Sequence, residues 1–99
     1  MSAAPFAKRK LHFVGIGGAG MSGLALVART LGAEVTGSDR AESSYTTRLR
    51  ENGIEPAIGH DAKNVPSGAE VVVSTAIPAD NPELVAAEGP VIHLSLIHI

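Results

Sequence analysis

The sequence predicts one α/β domain in which a parallel sheet of about five strands carries helices on both faces. Its 99 residues are enough for a single small domain. Segments with strand patterns alternate with segments of helical periodicity, which is typical of parallel strands joined by crossover helices. Apolar residues make up 44% of the chain and aromatic residues only 3%, so the core must consist of aliphatic side chains, as in parallel sheets buried on both faces.

The first predicted unit is a strand, a glycine-rich turn and a helix. Residues 11–14 form an apolar strand. The helix is predicted from apolar side chains that recur every three or four positions: Met21, Leu24, Ala25, Ala28 and Leu31. Gly32 ends this helix as a C-terminal cap. A second strand follows over residues 33–37 and ends at Ser38 and Asp39.

The next unit is a short helix followed by an irregular strand. Either Ser43 or Ser44 caps a helix that runs to about Asn52. Residues 54–58 form a third strand, and Pro56 indicates that this strand lies at an edge of the sheet or is irregular.

The last predicted elements follow a polar, turn-rich stretch over residues 59–68. Residues 70–74 form a β-branched strand. Asn81 then caps a helix that has Pro82 at its first position. A fifth strand begins over residues 90–93. Because the chain ends as this strand begins, we expect the domain to be truncated at its C-terminus.

The glycine-rich turn is a candidate phosphate-binding loop. Gly15, Gly17 and Gly20 match the pattern G-x-G-x-x-G between a strand and a helix. In this pattern the glycines allow a tight turn, a close approach of backbone to phosphate, and packing of the helix on the strand. The free N–H groups at the start of the helix then attract a diphosphate. The candidate contacts are Gly15, Gly17, Gly18, Ala19, Gly20, Met21 and Ser22, and Ser22 adds a hydroxyl. A turn that serves packing alone remains the alternative, and the Met21 side chain fits the helix core.

Further candidate residues follow the other strands. Asp39, at the end of the second strand, is placed to accept hydrogen bonds from a ribose or from the ring N–H of a pyrimidine base; the alternative is that it caps a turn. Ser74 ends the fourth strand, where open α/β sheets place their ligands, and His60 is a candidate for the same cleft. His60 also fits a simple turn residue, and Ser74 fits a strand cap.

Several functions are excluded or disfavoured by what the sequence lacks. It contains no cysteine and no metal-ligand spacing, and we find neither a nucleophile motif nor a G-x-x-x-x-G-K-[ST] loop for ATP. The net charge is −2 and the only basic run covers residues 8–10, so we expect no nucleic-acid partner. No apolar run reaches the roughly 18 residues of a membrane helix. We therefore expect no membrane insertion, and these features are compatible with a cytoplasmic location.

The two ends of the chain are expected to lie outside the domain, which covers residues 11–93. Residues 1–10 are predicted to be a flexible N-terminal flank. Residues 94–99 remain apolar where a polar loop or a helix should follow, and they resemble the translation of a sequencing-library adapter. We expect this hexapeptide to be an artefact; the alternative is that it completes the fifth strand.

Several blocks of the sequence together resemble the N-terminal, Rossmann-like domain of the Mur ligase family. The resemblance is strongest to members that add L-alanine to UDP-N-acetylmuramate in peptidoglycan biosynthesis. The ligase that recycles murein tripeptide shares the domain organisation but usually differs in the sequence around Gly20. The blocks are residues 12–23, 35–39, 58–60, 72–78 and 80–84.

The resemblance implies a role in binding but not in catalysis for this chain. The loop from Gly15 to Ser22 would meet the diphosphate of UDP-N-acetylmuramate, with Ser38 and Asp39 near the uridine. ATP and Mg²⁺ would bind a central domain, through a G-T-H-G-K-[ST] loop expected beyond residue 99. The central and C-terminal domains of the ligase are missing from this chain. The alternative is an NAD-binding domain of an oxidoreductase or regulator, which the glycine loop and Asp39 fit equally well.

Overall fold

A computed structural model describes residues 5–74 and 77–93. The elements in chain order are β1 (Lys10–Val14), α1 (Ala19–Thr30), β2 (Glu34–Asp39), α2 (Ser44–Glu51), β3 (Ala57–Ile58), a 3₁₀ turn (Ala62–Asn64), β4 (Glu70–Val73), α3 (Pro82–Val85) and β5 (Val91–His93). The hexapeptide 94–99, interpreted above as an adapter artefact, lies outside the described residues. So do residues 1–4 of the predicted flank and residues 75–76 of one block of the resemblance.

All five strands form one parallel sheet in the order β3-β2-β1-β4-β5. The chain moves outward from β1 to β3 and then returns to the other side of β1 for β4 and β5. Such an arrangement leaves a crevice at the carboxyl ends of β1 and β4, where the strand order reverses. The predicted fold class is therefore confirmed.

The helices cover both faces of the sheet because neighbouring side chains on a strand point to opposite sides. On one face, α1 and α2 pack against Leu11, Phe13 and Val72, within a core cluster that includes Leu49. On the other face, Val14, Val71 and Val73 form a smaller cluster, against which Leu84 of α3 packs. His12 alternates with Leu11 and Phe13 and therefore faces the α3 side.

Local sequence signals account for most helix ends. Ser43, rather than Ser44, caps α2: its hydroxyl accepts hydrogen bonds from the backbone of Tyr45 and Thr46. The Thr46 hydroxyl accepts one in return from the Ser43 N–H, which completes a capping box. Gly32, with φ of +103°, follows the end of α1 as predicted.

β3 is shorter than predicted, and two elements had no predicted length. β3 is a two-residue edge strand rather than a strand over residues 54–58, and Pro56 lies just before it. α3 is a single turn of four residues, with Asn81 as its cap and Pro82 at its start as expected. The turn-rich segment before β4 contains one 3₁₀ turn, which Asp61 caps. Short elements contribute few periodic positions, so sequence patterns define their limits poorly.

The segment before β1 contacts the rest of the domain. β1 begins at Lys10, one residue before the predicted start. Phe6 packs against the core cluster on the α1 face, and its N–H donates to the carbonyl of Leu31. The Arg9 guanidinium lies 4.6 Å from the Phe6 ring centre and makes two hydrogen bonds, of 2.8 and 2.6 Å, to the carboxylate of Glu70. Residues 5–10 of the expected flexible flank are therefore attached to β4 and to the end of α1.

In the described part of the chain, each helix is too short or too polar to cross a bilayer.

Candidate ligand-binding cleft

A cleft of about 510 Å³ opens at the carboxyl end of the sheet, at the point where the strand order reverses. It is lined by residues that follow β1, β2, β3 and β4: Gly15, Gly18, Asp39, Arg40, His60, Ser74, Ile77, Pro78 and Asn81. Five of the residues predicted from sequence are thus brought together here: Gly15, Gly18, Asp39, His60 and Ser74. This convergence is what the predicted topology requires of strand ends in one parallel sheet.

The glycine loop forms the floor of the cleft. Gly15 has φ of +80°, a conformation that side chains rarely adopt, and its N–H and that of Ile16 donate to the Ser38 carbonyl. The N–H of Gly17 donates to Asp39 Oδ2 at 2.8 Å. A Cβ atom on Gly17 would lie 2.7 Å from that same oxygen. Glycine is therefore required at position 17 for the close approach of Asp39. The sequence motif predicted a different reason, the close approach of a phosphate.

The start of α1 presents backbone donors to solvent. Its N-cap, Gly18, makes no side-chain capping hydrogen bond, and Ser22 is the first helix residue whose N–H bonds back, to the Gly18 carbonyl. Within the described residues, no partner is recorded for the N–H groups of Ala19, Gly20 and Met21. Free N–H groups and the positive end of the helix dipole favour an anion at this position.

Two side chains of this loop do not reach the cleft. The Ser22 hydroxyl is buried and donates to the Ala19 carbonyl at 3.1 Å, which corrects the expected hydroxyl contact to a phosphate. The Met21 side chain is buried in the core cluster, so only its backbone is available to a ligand. Gly20 has open space where a Cβ would lie and is not needed for helix packing, contrary to the expectation from the motif.

Asp39 and Arg40 place opposite charges side by side at the end of β2. The bond from Gly17 occupies one oxygen of the Asp39 carboxylate and fixes the side chain against the loop. The Arg40 side chain is exposed at the mouth of the cleft. A carboxylate repels phosphate but accepts hydrogen bonds from hydroxyl or N–H groups, while a guanidinium attracts phosphate.

A buried polar network lies directly beneath one wall of the cleft. Glu83 in α3 is fully buried, and its Oε1 accepts hydrogen bonds of 2.6 Å from both His12 Nε2 and Ser38 Oγ. Its Oε2 accepts from the Asp61 N–H at 3.0 Å and from Asn64 Nδ2 at 2.9 Å. One carboxylate thereby joins β1, β2, α3 and the turn after β3.

The network keeps Glu83 ionised. Burial raises the pKa of this carboxyl, but hydrogen bonds from His12, Ser38, Asn64 and the Asp61 backbone outweigh burial and lower the pKa from 4.5 to about 2. The Asp61 N–H and Asn64 Nδ2 are fixed donors to Oε2, and Ser38 and His12 can each donate to Oε1, so a carboxylate fits the site.

His60 and Ser38 connect this network to the cleft. Ser38 is fully buried, and its Oγ lies 2.9 Å from His60 Nδ1. The same nitrogen lies farther, 3.4 Å, from Glu83 Oε2, which also favours a proton on Nδ1. The Ser38 side chain therefore contacts His60 and Glu83 and not a ligand, in contrast to its predicted place beside the uridine. His60 lines the cleft and is 19% exposed, so it is more than a turn residue.

Several residues of the cleft and of the buried network were not predicted from the sequence. Arg40, Pro78 and Asn81 line the cleft, and His12 and Glu83 form the buried network. Neither Glu83 nor His12 was among the candidate residues predicted from the sequence. The available signal was a polar histidine within an otherwise apolar strand that is buried on both faces, since such a residue needs a partner.

Other features of the described residues do not compete with this cleft. They contain no group of three or more histidines and carboxylates that could hold a metal ion. A second, mostly apolar cavity of about 210 Å³ lies on the α1 face, away from the glycine loop, and is lined in part by Phe6, Leu24 and Ile92.

Strand order, glycine loop and cleft define a Rossmann-like α/β domain that places a ligand at the carboxyl ends of its strands. A family model described as "Mur ligase family, catalytic domain" matches residues 10–98. The chain therefore belongs to the Mur ligase family, and the resemblance stated from the sequence is confirmed.

Curated relatives with the name UDP-N-acetylmuramate–L-alanine ligase are similar to this chain. The protein of Azorhizobium caulinodans is 57% identical over 85 residues, which cover 86% of this chain and 18% of that protein. The protein of Rhodopseudomonas palustris is 60% identical over 79 residues, which cover 80% of this chain and 17% of that protein. The chain thus spans less than a fifth of the length of these relatives.

Two solved structures share the fold. The UDP-N-acetylmuramate–alanine ligase of Thermotoga maritima superposes with a TM-score of 0.83 at 38% identity, covering 89% of this chain and 21% of that chain. The UDP-N-acetylmuramate:L-alanyl-γ-D-glutamyl-meso-diaminopimelate ligase of Neisseria meningitides gives 0.75 at 29% identity, covering 88% of this chain and 29% of that chain. The alanine ligase is the more similar of the two.

Proposed function

We propose that this chain is the domain that binds the UDP part of UDP-N-acetylmuramate in a ligase that adds L-alanine to this nucleotide sugar. The observation that carries the proposal is the cleft, where Gly15 and Gly18 of the loop that leads into α1 line the same space as Asp39 and Arg40. The names of the similar ligases supply the substrate class. A cytoplasmic location forms part of the same proposal.

The proposed ligand fits the cleft by charge. The diphosphate lies at the start of α1, where the N–H groups of Ala19, Gly20 and Met21 donate to it. Arg40 neutralises part of its charge and offsets the repulsion by Asp39. The Asp39 carboxylate accepts a hydrogen bond from a ribose hydroxyl or from the uracil N–H.

We place ATP and Mg²⁺ outside this chain. The described residues contain no group of three or more histidines and carboxylates placed to hold a metal ion, and the sequence has no loop of the P-loop type. Activation of the muramate carboxylate and attack by L-alanine therefore belong to the rest of the ligase. The chain binds substrate and does not ligate.

The test is calorimetric titration of the 99-residue chain with UDP, UDP-N-acetylmuramate and NAD⁺. We expect the two uridine nucleotides to bind and NAD⁺ not to bind. Arg40→Ala should weaken UDP binding about tenfold, because one charge-assisted contact to phosphate is lost. Arg48→Ala removes an exposed arginine from α2, outside the cleft, and should leave affinity unchanged. Binding of NAD⁺ in preference to UDP would overturn the proposal in favour of a dehydrogenase-type domain.

A further inference from the structure

The polar network beneath the cleft has a defined direction of hydrogen bonding. Because Glu83 is ionised, the Ser38 hydroxyl must donate its single hydrogen to Oε1, at 2.6 Å. The Ser38 oxygen is then left only with lone pairs toward His60 Nδ1, at 2.9 Å. His60 must therefore carry a proton on Nδ1, and in the tautomer with this single proton Nε2 is an acceptor.

We propose that Glu83 is a positioning residue of the cleft: through Ser38 it holds His60 with its proton on Nδ1, so that Nε2 accepts a hydrogen bond from an N–H or O–H group of the bound nucleotide. The inference rests on the proposed nucleotide-binding function. Glu83 itself is fully buried and does not contact the ligand.

The position of Glu83 explains why a carboxylate is used. Asp61 N–H and Asn64 Nδ2 donate to Oε2 and cannot act as acceptors. Ser38 and His12, on Oε1, can reverse their roles, since a hydroxyl rotates and an imidazole has two tautomers. A carboxylate accepts hydrogen bonds at both oxygens, so Ser38 and His12 must also donate to Glu83.

Glu83→Gln is therefore a test that retains the shape of the side chain. The glutamine oxygen stays with Asp61 and Asn64, because its amide group would otherwise face two fixed donors. The amide then donates to Ser38 Oγ, and Ser38 donates to His60 Nδ1. The His60 proton moves to Nε2, which turns the acceptor of the cleft into a donor.

The experiment combines ¹⁵N NMR of the histidine rings with titration of the 99-residue chain by UDP. In the unsubstituted chain without ligand, we expect the neutral His60 ring to carry its proton on Nδ1. In Glu83→Gln we expect the proton on Nε2 and a loss of UDP affinity of about tenfold or more, since a buried donor then faces a donor.

Thr36→Val is the matched control from the same network. Thr36 Oγ1 bonds to His12 Nδ1 at 2.8 Å and to no other described side chain, so the variant disturbs the network without touching Ser38 or His60. It should keep the His60 tautomer and bind UDP within twofold of the unsubstituted chain. An equal loss of affinity in this variant would mean that Glu83 acts only through general stability.

Each outcome separates the inference from the function on which it rests. A His60 proton on Nε2 in the unsubstituted chain overturns the inference even if Glu83→Gln does not fold. Equal UDP affinity for Glu83→Gln and the unsubstituted chain also overturns it, and leaves the proposed function intact. Failure of the unsubstituted chain to bind any uridine nucleotide overturns the proposed function, whatever the tautomer.

Discussion

At the scale of single residues, Glu83 shows how one buried charge stabilises a fold and shapes a site. A buried carboxylate without partners is destabilising by several kcal/mol, whereas one with a full set of donors is held in its charged form. Glu83 has four donors from three other parts of the chain: His12 in β1, Ser38 in β2, and Asp61 and Asn64 in the turn after β3. The folded state therefore favours the ionised form of Glu83 more strongly than the unfolded state does.

The pH dependence of stability should reveal this link. The folded-state pKa of Glu83, about 2, lies below its ordinary value of 4.5. Its contribution is therefore present above pH 4.5 and is lost as pH falls toward 2. A difference of this size corresponds to roughly 3 kcal/mol. Urea unfolding from neutral to acidic pH should show this loss for the unsubstituted chain and a flatter profile for Glu83→Gln. Parallel profiles would contradict the assignment.

At the scale of elements, caps determine where the helices start. α2 has eight residues, too few for a helix to be stable by itself. It begins at a capping box between Ser43 and Thr46, and two arginines lie in its last turn, where the helix dipole favours positive charge. Local sequence is sufficient here, because each of these contacts joins residues within one turn.

Ser43→Ala should lower the free energy of unfolding by about 1 kcal/mol, since two N–H groups at the start of α2 lose their acceptor. Urea denaturation measures the change. Ser44→Ala is the control: Ser44 is exposed at the first helical position, and its substitution should be neutral or slightly stabilising. An equal loss in both variants would show that the cap at Ser43 contributes nothing specific.

At the scale of the whole molecule, five strands and two core clusters are assembled from residues between Phe6 and His93. The chain spans less than a fifth of its curated relatives, yet the sheet passes the point where the strand order reverses. That reversal creates the cleft, so a domain of this length already contains the proposed nucleotide site.

A chain shortened to residues 1–93 should unfold in a single cooperative thermal transition with the midpoint of the 99-residue chain. The reason is that both described core clusters lie between Phe6 and Ile92. Saturating UDP should raise both midpoints equally, because a ligand that binds only the folded state stabilises it. Calorimetry tests this, and a gradual loss of structure would indicate a fragment that does not fold independently.

The sequence by itself determined the features that rest on local chemistry. Alternating strands and helices, the glycine turn at Gly15, the cap at Asn81 and a cap at either Ser43 or Ser44 are all predictable from neighbouring residues. The gathering of strand ends at one edge follows from the parallel topology. The length of β3 was wrongly predicted and the end of α3 was not predicted, since both elements are too short to show periodicity.

Only the tertiary structure decided which polar side chains meet. Glu83 lies far along the chain from His12 and Ser38, and their contact depends on the order of the strands and on the face of each strand that holds each side chain. In the same way, the carboxylate of Asp39 approaches Gly17 only because β2 lies beside β1. Hydrogen bonds between residues that are distant in the chain produce no recognisable sequence pattern. The position of the cleft could therefore be predicted from the sequence, but the hydrogen-bond partners of its side chains could not.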